Sequence, residues 1–82
     1  MNIKEIKQLV SEVLNIPADL ITDDSSIINI EEWDSLSHMT IILNIEKALS
    51  IQFSGEIIAE MTSIESIKKA IDSKIKINAS QQ

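Results

Sequence analysis

Apolar residues recur at steps of three and four in three stretches of this chain, and each stretch predicts an amphipathic helix. In the first, Ile3, Ile6, Leu9, Val10, Val13 and Leu14 share one face over residues 2–15. Asn2 suits the N-cap, Asn15 can close the helix, and Pro17 discourages its continuation. The second helix is expected over residues 35–49, with Leu36, Met39, Ile42, Leu43, Ile45 and Leu49 inward. Ile41 and Ala48 broaden that stripe, while Ser37, Thr40, Asn44 and Lys47 mark the wetter side. Thr40-Ile41-Ile42-Leu43 would also suit a strand, but the longer helical period decides against it. In the third stretch Ile64, Ile67, Ala70, Ile71 and Ile75 predict a helix ending near Lys76, with Thr62 or Ser63 as its N-cap. A break over residues 50–55 holds Gly55, the single glycine, and a short helix over 56–61 follows it, presenting Ile57, Ile58 and Met61.

Residues 16–33 form a long connection rich in Asp and Ser, with a short helical turn expected near Pro17 to Leu20. Connections of that length tend to be functional. Leu20, Ile21, Ile27, Ile28 and Ile30 are expected to tack it to the core. The economical packing is an all-α bundle of three main helices and one short helix, with the long loop between helices 1 and 2. One domain is expected over residues 1–77, followed by a polar, disordered tail over 78–82.

Composition narrows the chemistry. Eighty-two residues make one small domain, which buries only about 60% of the surface its unfolded chain exposes. The absence of cysteine removes disulfides, thiolate metal sites and any sulfur nucleophile encoded by the chain. His38 is the lone histidine, which argues against a multi-histidine metal site. Neither a signal-peptide pattern nor an apolar run of the ~20 residues that span a membrane is apparent, so a cytoplasmic monomer is expected. The net charge is −6, and its distribution says more than its sum. Between Asn15 and Glu46 there are seven acids (Asp19, Asp23, Asp24, Glu31, Glu32, Asp34 and Glu46) and no lysine or arginine. Such a centre repels nucleic acid and steers the chain toward partners with basic patches.

Trp33-Asp34-Ser35-Leu36 stands where the long loop enters the second helix. Asp34 is a good N-cap there and Ser35 suits the first turn. The same position puts an exposed hydroxyl at the positive end of a helix dipole, where a phosphodiester on that oxygen would be favoured. Together the Asp34-Ser35-Leu36 motif, its place at the mouth of the second helix, the acidic loop before it and the short third and amphipathic fourth helices resemble an acyl carrier protein of the phosphopantetheine-binding carrier superfamily. The resemblance covers nearly the whole chain, from Ile3 to about Ile75.

That resemblance implies a role for each motif residue. Ser35 would bear 4′-phosphopantetheine, taken from coenzyme A. Asp34 would help to dock the phosphopantetheinyl transferase and assist the metal bound there, and Leu36 would be an exposed apolar contact for that transferase and for client enzymes. The arm would supply the thiol that the chain lacks, and the cargo would be an acyl or aminoacyl thioester. Partners would be the transferase, a loading ligase, and downstream synthases or transferases with basic docking patches. Contact residues are expected at Leu36, Trp33, His38, Met39, Glu46 and Ile57. Met39, Ile57, Ile58 and Met61 either line a cargo pocket between helices 2 and 3 or pack as ordinary core. Glu32-Trp33 replaces the small pair usual before the motif in carriers of bacterial fatty acid synthesis, and helix 2 has few acids. Both departures resemble stand-alone carriers of specialised pathways.

The chain is not expected to be an enzyme. Ser35 and His38, three apart at a helix start, make a poor nucleophile and base, and no glycine-rich elbow or oxyanion hole is evident. The remaining alternative is an unmodified interaction module on the same fold.

Overall fold

Each helix begins and ends where local chemistry satisfies its free backbone groups. The computed structural model describes residues 1–80, with side chains described as far as residue 76. Helix α1 (Ile3–Leu14) opens on a capping box: the Asn2 side chain accepts from the Glu5 N–H at 2.8 Å, and the Glu5 carboxylate accepts from the Asn2 N–H at 2.9 Å. It closes at Asn15, which is left-handed at φ 56°. After a 3₁₀ turn (Ala18–Leu20), α2 (Ser35–Leu49) starts at Asp34 and closes on Ser50, also left-handed at φ 55°. Helix α3 (Gly55–Glu60) is one residue earlier than its apolar pattern suggests, because Ser54 caps it by accepting from the Ile57 N–H. Ahead of α4 (Ile64–Ser80), Ser63 and Ser66 each accept the other's backbone N–H at 3.0 Å. Helix α4 runs past its expected end near Lys76 and takes in residues 78–80 of the tail expected to be disordered; residues 81–82 lie outside the described residues.

Helix α1 packs on both α2 and α4. The core is Ile6, Val10 and Leu14 from α1, Ile41, Ile42 and Ile45 from α2, and Ile64, Ile67 and Ile71 from α4. Ile21 and Trp33 from the long connection and Met61 after α3 complete it. The inward face of α2 differs from the expected one. His38, Ile41, Ile42 and Ile45 are buried, whereas Leu36, Met39 and Leu43 are exposed on the opposite side of the helix. Apolar residues surround most of α2, so periodicity alone offers two faces; the packing of α1 and Trp33 selects one.

The connection is pinned at several points. Ser26 and Ser63 form an isolated antiparallel bridge, with Ile27 N–H donating to Thr62 at 2.9 Å and Ile64 N–H to Ser25 at 3.0 Å. Lys7 and Asp23 form an ion pair at 2.7 Å that ties the loop to α1; as a largely exposed pair it contributes about 1 kcal/mol or less. Ile21 is buried, and Ile27 and Ile30 pack partly against the core. Leu20 and Ile28 do not tack the loop down as expected: Ile28 is 93% exposed. It sits in the turn that Ser26 and Asn29 close by hydrogen bonding, which directs it outward. Among the described residues no helix is long and apolar enough to cross a membrane.

Candidate attachment site

Ser35 is the first residue of α2 and is exposed. Asp34, extended at φ −102°, caps the helix: its carboxylate accepts from the Ser37 N–H at 2.9 Å and its carbonyl from the His38 N–H at 2.8 Å. These contacts fix the backbone around Ser35 and hold its side chain at the positive end of the α2 dipole. A phosphodiester there meets first-turn N–H groups and a favourable field, so the residues present fit a phosphopantetheine group.

The Ser37 backbone N–H, and then its hydroxyl, hold the Asp34 carboxyl below the usual carboxylate value, outweighing a small opposing effect of desolvation. Asp34 is therefore ionised at neutral pH. A carboxyl whose value is lowered by folding stabilises the fold above its unfolded value, and that stabilisation is lost as pH falls through the lowered one. Asp34→Asn keeps a capping acceptor but cannot titrate. Its thermal midpoint is expected to fall less than that of wild type between pH 7 and pH 3; equal falls would overturn this account of the cap.

Trp33 and His38 occupy one buried relay. The indole N–H of Trp33 donates to His38 Nδ1 at 3.1 Å, and His38 Nε2 lies 2.9 Å from the Ile58 carbonyl. An indole can only donate, so Nδ1 is the acceptor and the neutral ring donates from Nε2 to Ile58. The relay joins the end of the loop, the second turn of α2 and α3. Trp33 is 1% exposed and His38 7%, so neither offers a partner the surface expected of it. Both His38 nitrogens are engaged, leaving none to act as a base on Ser35. A histidine among Ser37, Met39 and Thr40 reads as wet; its nearness to the Trp33 indole is tertiary information.

The other expected contacts divide. Leu36 is 82% exposed and Leu43, on the same face, 57% exposed; Met39 and Ile57 also reach solvent. Thr40 Oγ1 donates to the Leu36 carbonyl at 3.1 Å and the Asn44 side-chain amide to Thr40 at 2.8 Å, so both polar side chains fold back onto the helix. Glu46 also has a role within the fold. It is half-buried and its carboxylate accepts from the Phe53 N–H at 2.8 Å, bracing the loop between α2 and α3. The outer face of α2 is thus largely apolar, with Lys47 as its charge. Of Met39, Ile57, Ile58 and Met61, expected either to line a cargo pocket or to pack as core, Met61 is buried in the core and Ile58 packs partly against it, while Met39 and Ile57 are exposed; an open cleft lies between α3 and α4.

Over residues 4–71 the chain matches the family described as the phosphopantetheine attachment site. The acyl carrier protein of Buchnera aphidicola subsp. Schizaphis graminum is 30% identical to it over 69 residues, 84% of each chain. The chain belongs to the acyl carrier protein family. The solution NMR structure of holo acyl carrier protein from Geobacter metallireducens shares the fold, with a TM-score of 0.81 over 98% of this chain and 92% of that one, at 21% identity. The four-helix order and the long loop after α1 are those of an acyl carrier protein fold. An acyl carrier protein holds acyl groups as thioesters on a phosphopantetheine arm and is not itself a catalyst. This carrier, without cysteine, takes its thiol from that arm.

Proposed function

We propose that Ser35 is the residue that bears phosphopantetheine, and that the chain is a stand-alone carrier serving a specialised pathway of polyketide, nonribosomal peptide or surface-polysaccharide type. The observation that carries the first part is the exposed Ser35 hydroxyl at the Asp34-capped start of α2. Support for the second is the Glu32-Trp33 pair before the motif and the outer face of α2, where Ser37, Thr40 and Lys47 stand in place of acids. The arm supplies a thiol that holds the cargo; the chain braces the attachment point and presents it. A tethered cargo reaches a client active site at high effective concentration. The carrier works as a cytoplasmic monomer, and residues 1–77 form the carrier domain.

Partners are a phosphopantetheinyl transferase, a loading ligase and downstream synthases. The acidic connection steers the carrier toward basic surfaces, while Leu36, Met39 and Leu43 make the close contact. Leu43→Asp puts a charge into that contact without touching the core. It is expected to lower the rate of transfer from coenzyme A by about tenfold, a loss of ~1.4 kcal/mol, with the thermal midpoint unchanged. Transfer at the wild-type rate would exclude this face from the contact. Intact-protein mass after incubation with coenzyme A and a broad-specificity transferase tests the reading as a whole. Gain of one arm supports it; a folded chain that gains nothing is an unmodified interaction module.

A further inference from the structure

We infer that His38 is a proton-sensitive clasp: as a neutral ring it holds α3 to the head of α2, and a second proton on the ring releases it. His38 is thereby a positioning residue that sets where α3 stands relative to Ser35. The clasp goes beyond the carrier reading and does not depend on it, since it concerns the ring and its contacts whether or not Ser35 bears an arm.

The two bonds of the ring admit one protonation state. The Trp33 indole N–H, at 3.1 Å, needs a lone pair on Nδ1, and the Ile58 carbonyl, at 2.9 Å, needs a proton on Nε2. Two different elements impose these demands, the loop and α3, so both bonds stand together only on the neutral ring. A proton added at Nδ1 would point one donor at another, because the indole has no lone pair to offer. The new charge would also sit on a buried side chain. Among the described residues no carboxylate lies within ion-pair distance of the ring to balance it. A buried charge without a partner is strongly disfavoured. The charged ring reaches water by turning out of its pocket, and in doing so it gives up the Ile58 carbonyl as well.

The charged groups nearest the ring along these three elements are all acids. They are Glu31 and Glu32 on the loop, Asp34 at the head of α2, and Glu56 and Glu60 on α3. Each is exposed, and the Asp34 carboxylate is taken up by the Ser37 N–H. Their field draws a proton toward this end of the molecule while the two bonds keep it off the ring, so pH decides between them. Release is felt at α3 because little else holds it: none of its six residues is buried. The Ile58 carbonyl also accepts the Met61 N–H at 3.1 Å, so the ring grips the group on which the helix closes. By linkage, a partner that keeps α3 in place favours the neutral ring, and one that displaces α3 favours the charged ring.

The test follows the full chain by NMR from pH 7 to pH 5.5, where histidine titrates and carboxylates stay largely ionised. The ring ¹⁵N shifts, the single indole N–H and hydrogen exchange at the α3 amides, corrected for the intrinsic effect of pH, are read together. At pH 7 the ring should be neutral with its proton on Nε2. As it takes up the second proton, the indole signal should shift, and exchange at Ile58 and Met61 should quicken by about tenfold relative to α1 and α4. His38→Gln keeps an acceptor and a donor but cannot titrate; in it the indole and α3 should ignore pH over this interval. Should that variant not fold, the coincidence of the three signals in wild type decides alone. A ring that titrates while the indole and α3 stay unmoved overturns the clasp. So does an α3 response that survives in His38→Gln or comes at a different pH from the ring. A ring with its proton on Nδ1 at pH 7, or still neutral at pH 5.5, overturns it too.

Discussion

Ser35→Ala will abolish the uptake of phosphopantetheine and leave the fold as it is. Wild type, incubated with coenzyme A and a broad-specificity transferase, should gain the mass of one arm; the variant should gain none. The effect is all-or-none because the arm is joined through the serine oxygen, which alanine lacks. The fold survives because Ser35 is exposed and the helix is started by Asp34, whose acceptor contacts are with Ser37 and His38. Alanine is a better helix former than serine, so stability should change by no more than ~0.5 kcal/mol, as for exposed positions generally. Ser37→Ala is the control, since its hydroxyl is two residues away on the same turn; it should still load. Uptake persisting in Ser35→Ala would move the attachment point elsewhere.

Trp33→Ala will cost about 3–5 kcal/mol, the usual loss when a large aromatic is removed from a packed core. Trp33 is among the largest fully buried side chains of the molecule. A chain of this size has a total stability of roughly 4–12 kcal/mol at ~0.05–0.15 kcal/mol per residue. The variant should therefore be largely unfolded, or unfold at far lower urea concentration. Trp33→Phe separates packing from hydrogen bonding: it keeps most of the ring volume but leaves His38 Nδ1 without its donor. Its cost should be about 1–3 kcal/mol, the usual penalty for an unsatisfied buried polar atom. Urea midpoints at constant slope measure both. A loss below about 1 kcal/mol in Trp33→Ala would mean that the relay and the pocket around it are not what holds the loop to α2.

The helix limits were readable because they are written in local chemistry. Asn2 with Glu5, Asn15 before Pro17, Asp34 before Ser35 and Ser63 with Ser66 each act over a few residues. The exposed position of Ser35 was readable for the same reason: it follows from a cap and a helix start. The orientation of α2 was not, because Leu36, Met39, Ile41, Ile42, Leu43 and Ile45 supply two faces of similar hydrophobicity and only the rest of the bundle chooses between them. The internal contacts of His38 and Glu46 were not readable. Each looked like an exposed polar group on α2, and each binds a main-chain group outside that helix, His38 at Ile58 and Glu46 at Phe53. Met61 packs as core, the second of its two expected roles, because its direction is set by the bundle and not by the helix that precedes it.

Helix α3 has a consequence for how the bundle opens. Six residues are too few to hold a helix in water unaided, and none of the six is buried. Its fastenings are the Ser54 cap, the partly buried Ile58, Met61 just beyond it, and the His38 bond to the Ile58 carbonyl. Local opening of such an element requires less free energy than opening α1, α2 and α4, whose isoleucines interlock. Of the four helices α3 is thus the one expected to open first, and the histidine that fastens it stands a single turn from Ser35.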